Sequence, residues 1–280
     1  MTGAQPPGVP LVWVDAFSDG PFTGNPAGVC LLDRPAPARA MQSLARELGL
    51  SETAFVWPQD GAFSLRWFTP VAEVDLCGHA TVAAAHALAA AGRLDGGRAR
   101  FSTKSGLLEA TVGGDDVEID LPADTPVPVD PPAPLAAHWP VVRAATGRFD
   151  LLVELDSEEA VRLVDPVAVD LGALPYRGVS ITARADGSRA AGAPDYVLRF
   201  FAPRVGVPED PVTGSAQCLL GPYWSATLGV THLRATQLSA RRGALRVRVG
   251  ATRVGVAGRA LTILRGEVTG EAARRLLAGP

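Results

Sequence analysis

The chain has 280 residues, 47% of them hydrophobic and 20% charged, a globular balance long enough for two domains. A net charge of −3 leaves no basic surplus to grip a phosphate backbone, so no nucleic-acid partner is expected. No apolar run reaches the roughly eighteen residues of a membrane helix. The first ten residues show neither a charged nor an apolar leader region, so no secretory signal is expected.

Leu11 to Phe17 reads as a first strand, followed by turn formers from Gly20 to Gly28 and a short strand over Val29 to Leu32. Helical spacing sets Met41, Leu44, Ala45 and Leu48 on one side of a helix from Ala38 to Leu48, and Gly49 ends it. Strands over Ala54 to Trp57 and Phe63 to Phe68 flank Gln59-Asp60-Gly61, a hairpin turn. Thr81 to Ala91 is almost wholly Ala, Val, Leu and His, so this helix should be buried nearly all round inside short strands.

Strands follow near Arg100, over Leu107 to Val112 and over Val117 to Leu121. Pro122 to Pro134 then carries prolines at 122, 126, 128, 131, 132 and 134, a stiff stretch read as a linker. It predicts domains over 1–124 and 130–280. The second half repeats the style, with strands at Leu151 to Leu155, Gly178 to Ala183 and Tyr196 to Phe201. Ser215 to Leu228 is a second apolar helix, expected to be enclosed like the first. A hairpin over Leu245 to Val256 and a helix over Gly270 to Leu277 end the chain.

Cys30, Cys77 and Cys218 form neither a disulfide framework nor a C-x-x-C pair, which fits a reducing cytoplasm. His79 and His86 are seven apart without a carboxylate at zinc-ligand spacing, so no metal is expected.

Two turns carry the chemistry. Asp75-Leu76-Cys77-Gly78-His79-Ala80-Thr81 and Glu209-Asp210-Pro211-Val212-Thr213-Gly214-Ser215-Ala216 each open a helix, and each follows a Phe-x-Pro step, Phe68-Thr69-Pro70 or Phe201-Ala202-Pro203. Free N–H groups and a positive dipole end at each helix opening suit a carboxylate, and Gly78, Ala80, Gly214 and Ala216 let it approach. Either turn alone could be a simple strand-to-helix junction; the matched pair favours a site in a cleft between two related domains. The helix opening should lower the pKa of His79 and favour its neutral form, although a lone histidine could equally be core. Asp210 could be only a helix cap, and Ser215 a cap or a carboxylate donor. Glu209 and Asp210 should face opposite ways, so only one of them should reach the cleft. Glu52 reads as an ordinary glutamate at the start of a strand.

Asn25-Pro26-Ala27-Gly28, Ser51-Glu52-Thr53, Leu76 to Thr81 and Asp210 to Ala216, in that order, resemble the phenazine-biosynthesis PhzF-like family over most of the chain. The resemblance implies an α+β fold of the diaminopimelate epimerase-like kind. In it, two similar domains each curl a sheet or barrel around a central helix, with the active site between them. It implies a cofactor-independent, metal-independent isomerase, whose phenazine-pathway member acts on trans-2,3-dihydro-3-hydroxyanthranilate. By that resemblance Glu52 is the main acid/base, and His79, Asp210 and Ser215 are supporting polar residues. Gly78 and Gly214 present N–H groups to a small carboxylate substrate, with Asn25, Ala80, Thr213 and Ala216 around it. Homodimerisation is implied as well.

Two other functions compete. An epimerase or racemase of this fold uses two facing thiols. Cys77 stands where one would be, but the second place falls near Val212, which cannot titrate, so Cys77 reads as a small buried residue. A non-catalytic binding protein keeping the fold is the other alternative, since fold does not fix activity.

Overall fold

The computed structural model describes residues 8–187 and 192–279; the first seven residues of the segment read for a leader lie outside them. The chain divides into two compact units, Met1–Ile119 with Gly258–Pro280, and Asp120–Ala257.

The first unit contains β1 (Val9–Ser18), β2 (Asn25–Leu31), α1 (Ala38–Leu48), β3 (Glu52–Gln59), β4 (Ala62–Phe68), β5 (Glu73–Val74), α2 (Gly78–Ala90), β6 (Arg98–Thr103), β7 (Gly106–Gly113) and most of β8 (Asp116–Pro122). The second holds β9 (Val127–Val129), α3 (Ala133–His138), β10 (Val141–Thr146), β11 (Asp150–Leu155), α4 (Glu158–Arg162), β12 (Gly178–Arg184) and β13 (Tyr196–Ala202). It continues with β14 (Val207–Asp210), α5 (Gln217–Leu228), β15 (His232–Gln237) and β16 (Gly243–Val249). The long strand β17 (Arg253–Val268) begins in the second unit and ends in the first, before α6 (Gly270–Leu277).

In the first unit β17, β1, β2, β3, β4, β6, β7 and β8 pair in that order, and β8 returns to β17. The sheet therefore closes around α2, which packs on β1, β2, β3 and β7. Gly78 to Leu88 are all buried, as a helix without a polar stripe must be. Its alanines keep the helix thin enough for strands to surround it. Cys30, Phe55 and Trp57 form an outer layer with Met41 and Ala45 of α1 and Ala273 and Leu276 of α6. By strand alternation Ala27, Val29, Ala54 and Val56 face the other way, towards α2.

The second unit repeats this pairing. β10–β11 is antiparallel, β11–β12 parallel, β12–β13 antiparallel, β13–β15 parallel and β15–β16 antiparallel. The corresponding pairs in the first unit are β1–β2, β2–β3, β3–β4, β4–β6 and β6–β7. The hairpin at Asp60-Gly61 has both residues at positive φ, 48° and 72°, as its tight turn requires.

Several boundaries depart from the sequence reading. Residues 258–280 belong to the first unit rather than to a 130–280 domain, because β17 pairs with β1 from Arg259 to Val268. The proline-rich stretch is no free linker: β9 lies within it and pairs with β10, and the proline-tolerant edge position accommodates Pro128. Asn25 to Gly28 are strand, not turn. Gly24 (φ 83°) makes the preceding bend, where an added Cβ would lie 2.5 Å from the Ala16 carbonyl oxygen. The second helix begins at Gln217 and is enclosed along its first half only; Ala226 and Thr227 are exposed. Among the described residues no helix is long and apolar enough to cross a membrane.

Candidate active site

In the first unit the parallel register places Glu52 beside Ala27 at the start of β3. Residues partnered across a sheet share a face, so Glu52 and Asn25 turn to the α2 side. Asn25 is fully buried. His79 is the second residue of α2, and its Nε2 lies 3.0 Å from Glu52 Oε2. His79 is 5% exposed and the Glu52 side chain 14%. Cys77 Sγ lies 3.6 Å from His79 Nδ1 and 4.0 Å from Nε2. Thr81 clamps the turn by donating both its N–H and its hydroxyl to the Cys77 carbonyl, at 3.2 and 2.6 Å.

Burial works against charge on His79, but the Glu52 carboxylate at hydrogen-bond distance holds its pKa well above the usual imidazole value. This reverses the expectation that the helix opening would keep His79 neutral: a carboxylate at hydrogen-bond distance outweighs half a dipole charge. Burial, and then the Glu52 charge, push the Cys77 thiol up, so it stays protonated. Cys77 is therefore a buried residue in a polar cluster, not apolar packing. Ligand atoms of Glu52, Cys77 and His79 lie within 4.8 Å of one another, donor types that zinc accepts. Histidine spacing does not reveal this set, because only the fold brings Glu52 to Cys77 and His79.

In the second unit Ser215 sits in the turn before α5, with Gly214 and Ala216 buried beside it. Glu209 is consumed by a two-pronged pair with Arg199, at 2.7 and 2.9 Å. Asp210 instead accepts from the Thr213 hydroxyl. The buried Gln237 amide fixes this loop: its Oε1 accepts from Thr213 N–H at 2.8 Å, and its Nε2 donates to the Asp210 carbonyl at 2.7 Å. Ser239 donates to the Pro211 carbonyl at 2.6 Å. Val212 is fully buried and Cys218 follows in α5, its thiol pushed up to about 12 by burial.

Arg177 was not anticipated from sequence. Its Nε donates to Asp150 Oδ1 at 2.8 Å, its Nη2 donates to Asp150 Oδ2, and Nη2 lies 3.5 Å from Ser215 Oγ. Gln237 and Gln217 were overlooked too. Their one sequence signal is polarity at strand and helix positions that the surrounding residues mark as core. Phe22 is exposed at a positive φ of 65°, whereas Trp67 is 1% exposed and belongs to the core.

The model for the phenazine biosynthesis-like protein family, PhzC-PhzF, matches residues 14–266. The chain belongs to that family. This PhzF-family chain is 44% identical to an uncharacterized isomerase of Pseudomonas aeruginosa, over 90% of its own length and 96% of the relative's. A PhzF-family crystal structure from Enterococcus faecalis superposes with a TM-score of 0.87 at 37% identity, covering 94% of this chain and 99% of that one. A predicted epimerase from Pseudomonas aeruginosa, at 24% identity and TM-score 0.66 over 93% of this chain and 99% of its own, shares the fold. The two-unit α+β architecture is the epimerase-like one.

Proposed function

We propose that this PhzF-family protein is a cofactor-independent isomerase that moves a proton on a small, cyclic carboxylic acid, with Glu52 as the acid/base. The observation that carries the proposal is the buried Glu52–His79 pair at the opening of α2, 3.0 Å apart. A carboxylate is the right base for a carbon-bound proton made acidic by a neighbouring unsaturated or carbonyl group. Glu52 accepts that proton and returns it at a second carbon. The charged ring of His79, fixed against Cys77, stabilises negative charge building on the substrate and orients the carboxylate that receives the proton. Asn25 and the small residues Gly78 and Ala80 lie at the same end of α2 and bind substrate. Of the second unit's residues, Asp210 and Ser215 assist the transfer, and Thr213, Gly214 and Ala216 bind substrate.

No step in this chemistry changes an oxidation state overall, so none calls for a redox cofactor. The relatives named isomerases support the reaction class. A cytoplasmic location and a homodimer complete the proposal. Three free thiols support the location, and family resemblance supports the dimer.

The test is incubation in deuterated water with a panel of cyclic and acyclic amino and hydroxy acids. Solvent deuterium should enter one of them with the wild type and not with Glu52→Gln. A folded Glu52→Gln variant with full exchange activity would remove the proposed base. The racemase reading draws support from Cys77 beside His79, but Val212 leaves it without a facing thiol.

A further inference from the structure

The opening of α2 brings a thiol, an imidazole and a carboxylate together inside the first unit. Cys77 is the extended residue before the helix, with φ −146° and ψ 109°, and His79 is the second residue within it. The backbone turns from extended to helical between them, and Cys77 Sγ comes within 4.0 Å of His79 Nε2. Glu52 arrives from β3, its Oε2 3.0 Å from the same nitrogen. Donor atoms of all three lie within 4.8 Å of one another, and among the described residues no other three such donors come so close. The matching turn of the second unit, Thr213-Gly214-Ser215, offers neither thiol nor imidazole.

These separations suit one metal ion. Tetrahedral zinc holds sulfur at about 2.3 Å and nitrogen or oxygen at about 2.0–2.1 Å, which sets its ligands about 3.3–3.6 Å apart. The nitrogen–oxygen gap needs to open by a few tenths of an ångström, and the sulfur to close in by about 0.5–1 Å, shifts within reach of side-chain rotation. Magnesium and calcium take oxygen ligands, so a set with one thiol and one imidazole selects zinc against them. Three protein ligands leave a fourth position for water. Cys77 and His79 are buried, and the Glu52 carboxylate keeps enough exposure to give an ion access. Thr81 ties down the Cys77 carbonyl through its N–H and its hydroxyl, so the turn that carries thiol and ring is ordered before an ion arrives.

We propose that Glu52, Cys77 and His79 form a zinc site whose occupation switches off proton transfer. Binding makes Zn–S, Zn–N and Zn–O bonds and sends the Cys77 thiol proton and the proton on His79 Nε2 to buffer. The ion then holds the carboxylate oxygen with which Glu52 would take a proton from substrate. Zinc acts here as an inhibitor and not as a cofactor. The blocking role rests on the proton-transfer reading; the metal site itself does not.

The test is titration of the full chain, first stripped of metal with a chelator, with cobalt(II) followed by its absorption spectrum and with zinc followed by calorimetry. It uses wild type, Cys77→Ser, Cys77→Ala, His79→Gln, Glu52→Gln and Cys218→Ser, each checked for folding by circular dichroism. Two Cys77 variants cover a failure of either one to fold. Cobalt should bind once per chain with a sulfur-to-metal charge-transfer band, which zinc should erase and magnesium should not. The band should be absent from both Cys77 variants and persist in Cys218→Ser. Loss of any one ligand should weaken zinc at least about a hundredfold, because losing a group that merely orients a ligand already costs about 10–100-fold. Saturating zinc should stop deuterium exchange, and a chelator should restore it. Three results overturn the proposal: no zinc binding to wild type at micromolar concentration, a charge-transfer band that survives in a folded Cys77 variant, or full exchange by the zinc-saturated chain. Zinc binding by a chain that exchanges deuterium into no acid would retain the metal site and sink the isomerase reading; exchange by a chain that ignores zinc would sink the metal site alone.

Discussion

Replacing Glu52 by Gln should change stability in a pH-dependent way that reports the charge on His79. His79 is 5% exposed and the Glu52 side chain 14%, with 3.0 Å between nitrogen and oxygen. Removing one partner from a buried ion pair costs about 3–5 kcal/mol, and the residual exposure of Glu52 puts this case at the low end. The glutamine oxygen can still accept from a neutral ring, which recovers about 1 kcal/mol. The expected loss is therefore about 2 kcal/mol at pH 6. Burial opposes the charged ring, yet Glu52 holds the folded-state pKa of His79 above its unfolded value, which is about 6.5. The pair's contribution is then complete below that unfolded value and drains away as pH rises through the folded one. Urea unfolding followed by circular dichroism at pH 6 and pH 9 should show the gap between wild type and Glu52→Gln narrowing at pH 9. An equal or wider gap at pH 9 would refute a charged His79 held by Glu52.

Two further outcomes follow from the neighbouring contacts. Burial and the Glu52 charge keep Cys77 protonated, and burial pushes Cys30 up to about 12, so iodoacetamide at pH 7.5 should label the folded chain slowly. Mass spectrometry should find rapid labelling of all three cysteines only in denaturant, and fast labelling of Cys77 in the native state would contradict this picture. Gln237→Leu should destabilise by roughly 2–4 kcal/mol, because it orphans the Thr213 N–H and the Asp210 carbonyl together. A melting temperature unchanged from wild type would show that the loop does not depend on that amide.

Local sequence information located most elements. The alanine-rich run from Thr81 predicted an enclosed helix because a helix without a polar stripe has nowhere else to go. The apolar helix α5 differs, its far half reaching solvent; composition does not say how far a sheet extends over its helix. The matched Phe-x-Pro and helix-opening motifs disclosed the duplication, and the strand pairings repeat it. Long-range pairing decided the rest. The path of β17 back to β1 depends on register between residues some 250 positions apart, which no local pattern encodes.

The amino-acid string by itself determined the apolar helices, the glycine turns that open them and the polar residues stationed there. Those choices follow from nearest-neighbour sterics and periodic burial. Folding decided which charges meet. Glu52 became the partner of His79 only when α2 packed against β3, and Arg177 that of Asp150 and Ser215 only when β11 and β12 paired in parallel. Electrostatic energy depends on distance through space, so the protonation of His79 belonged to the tertiary structure alone.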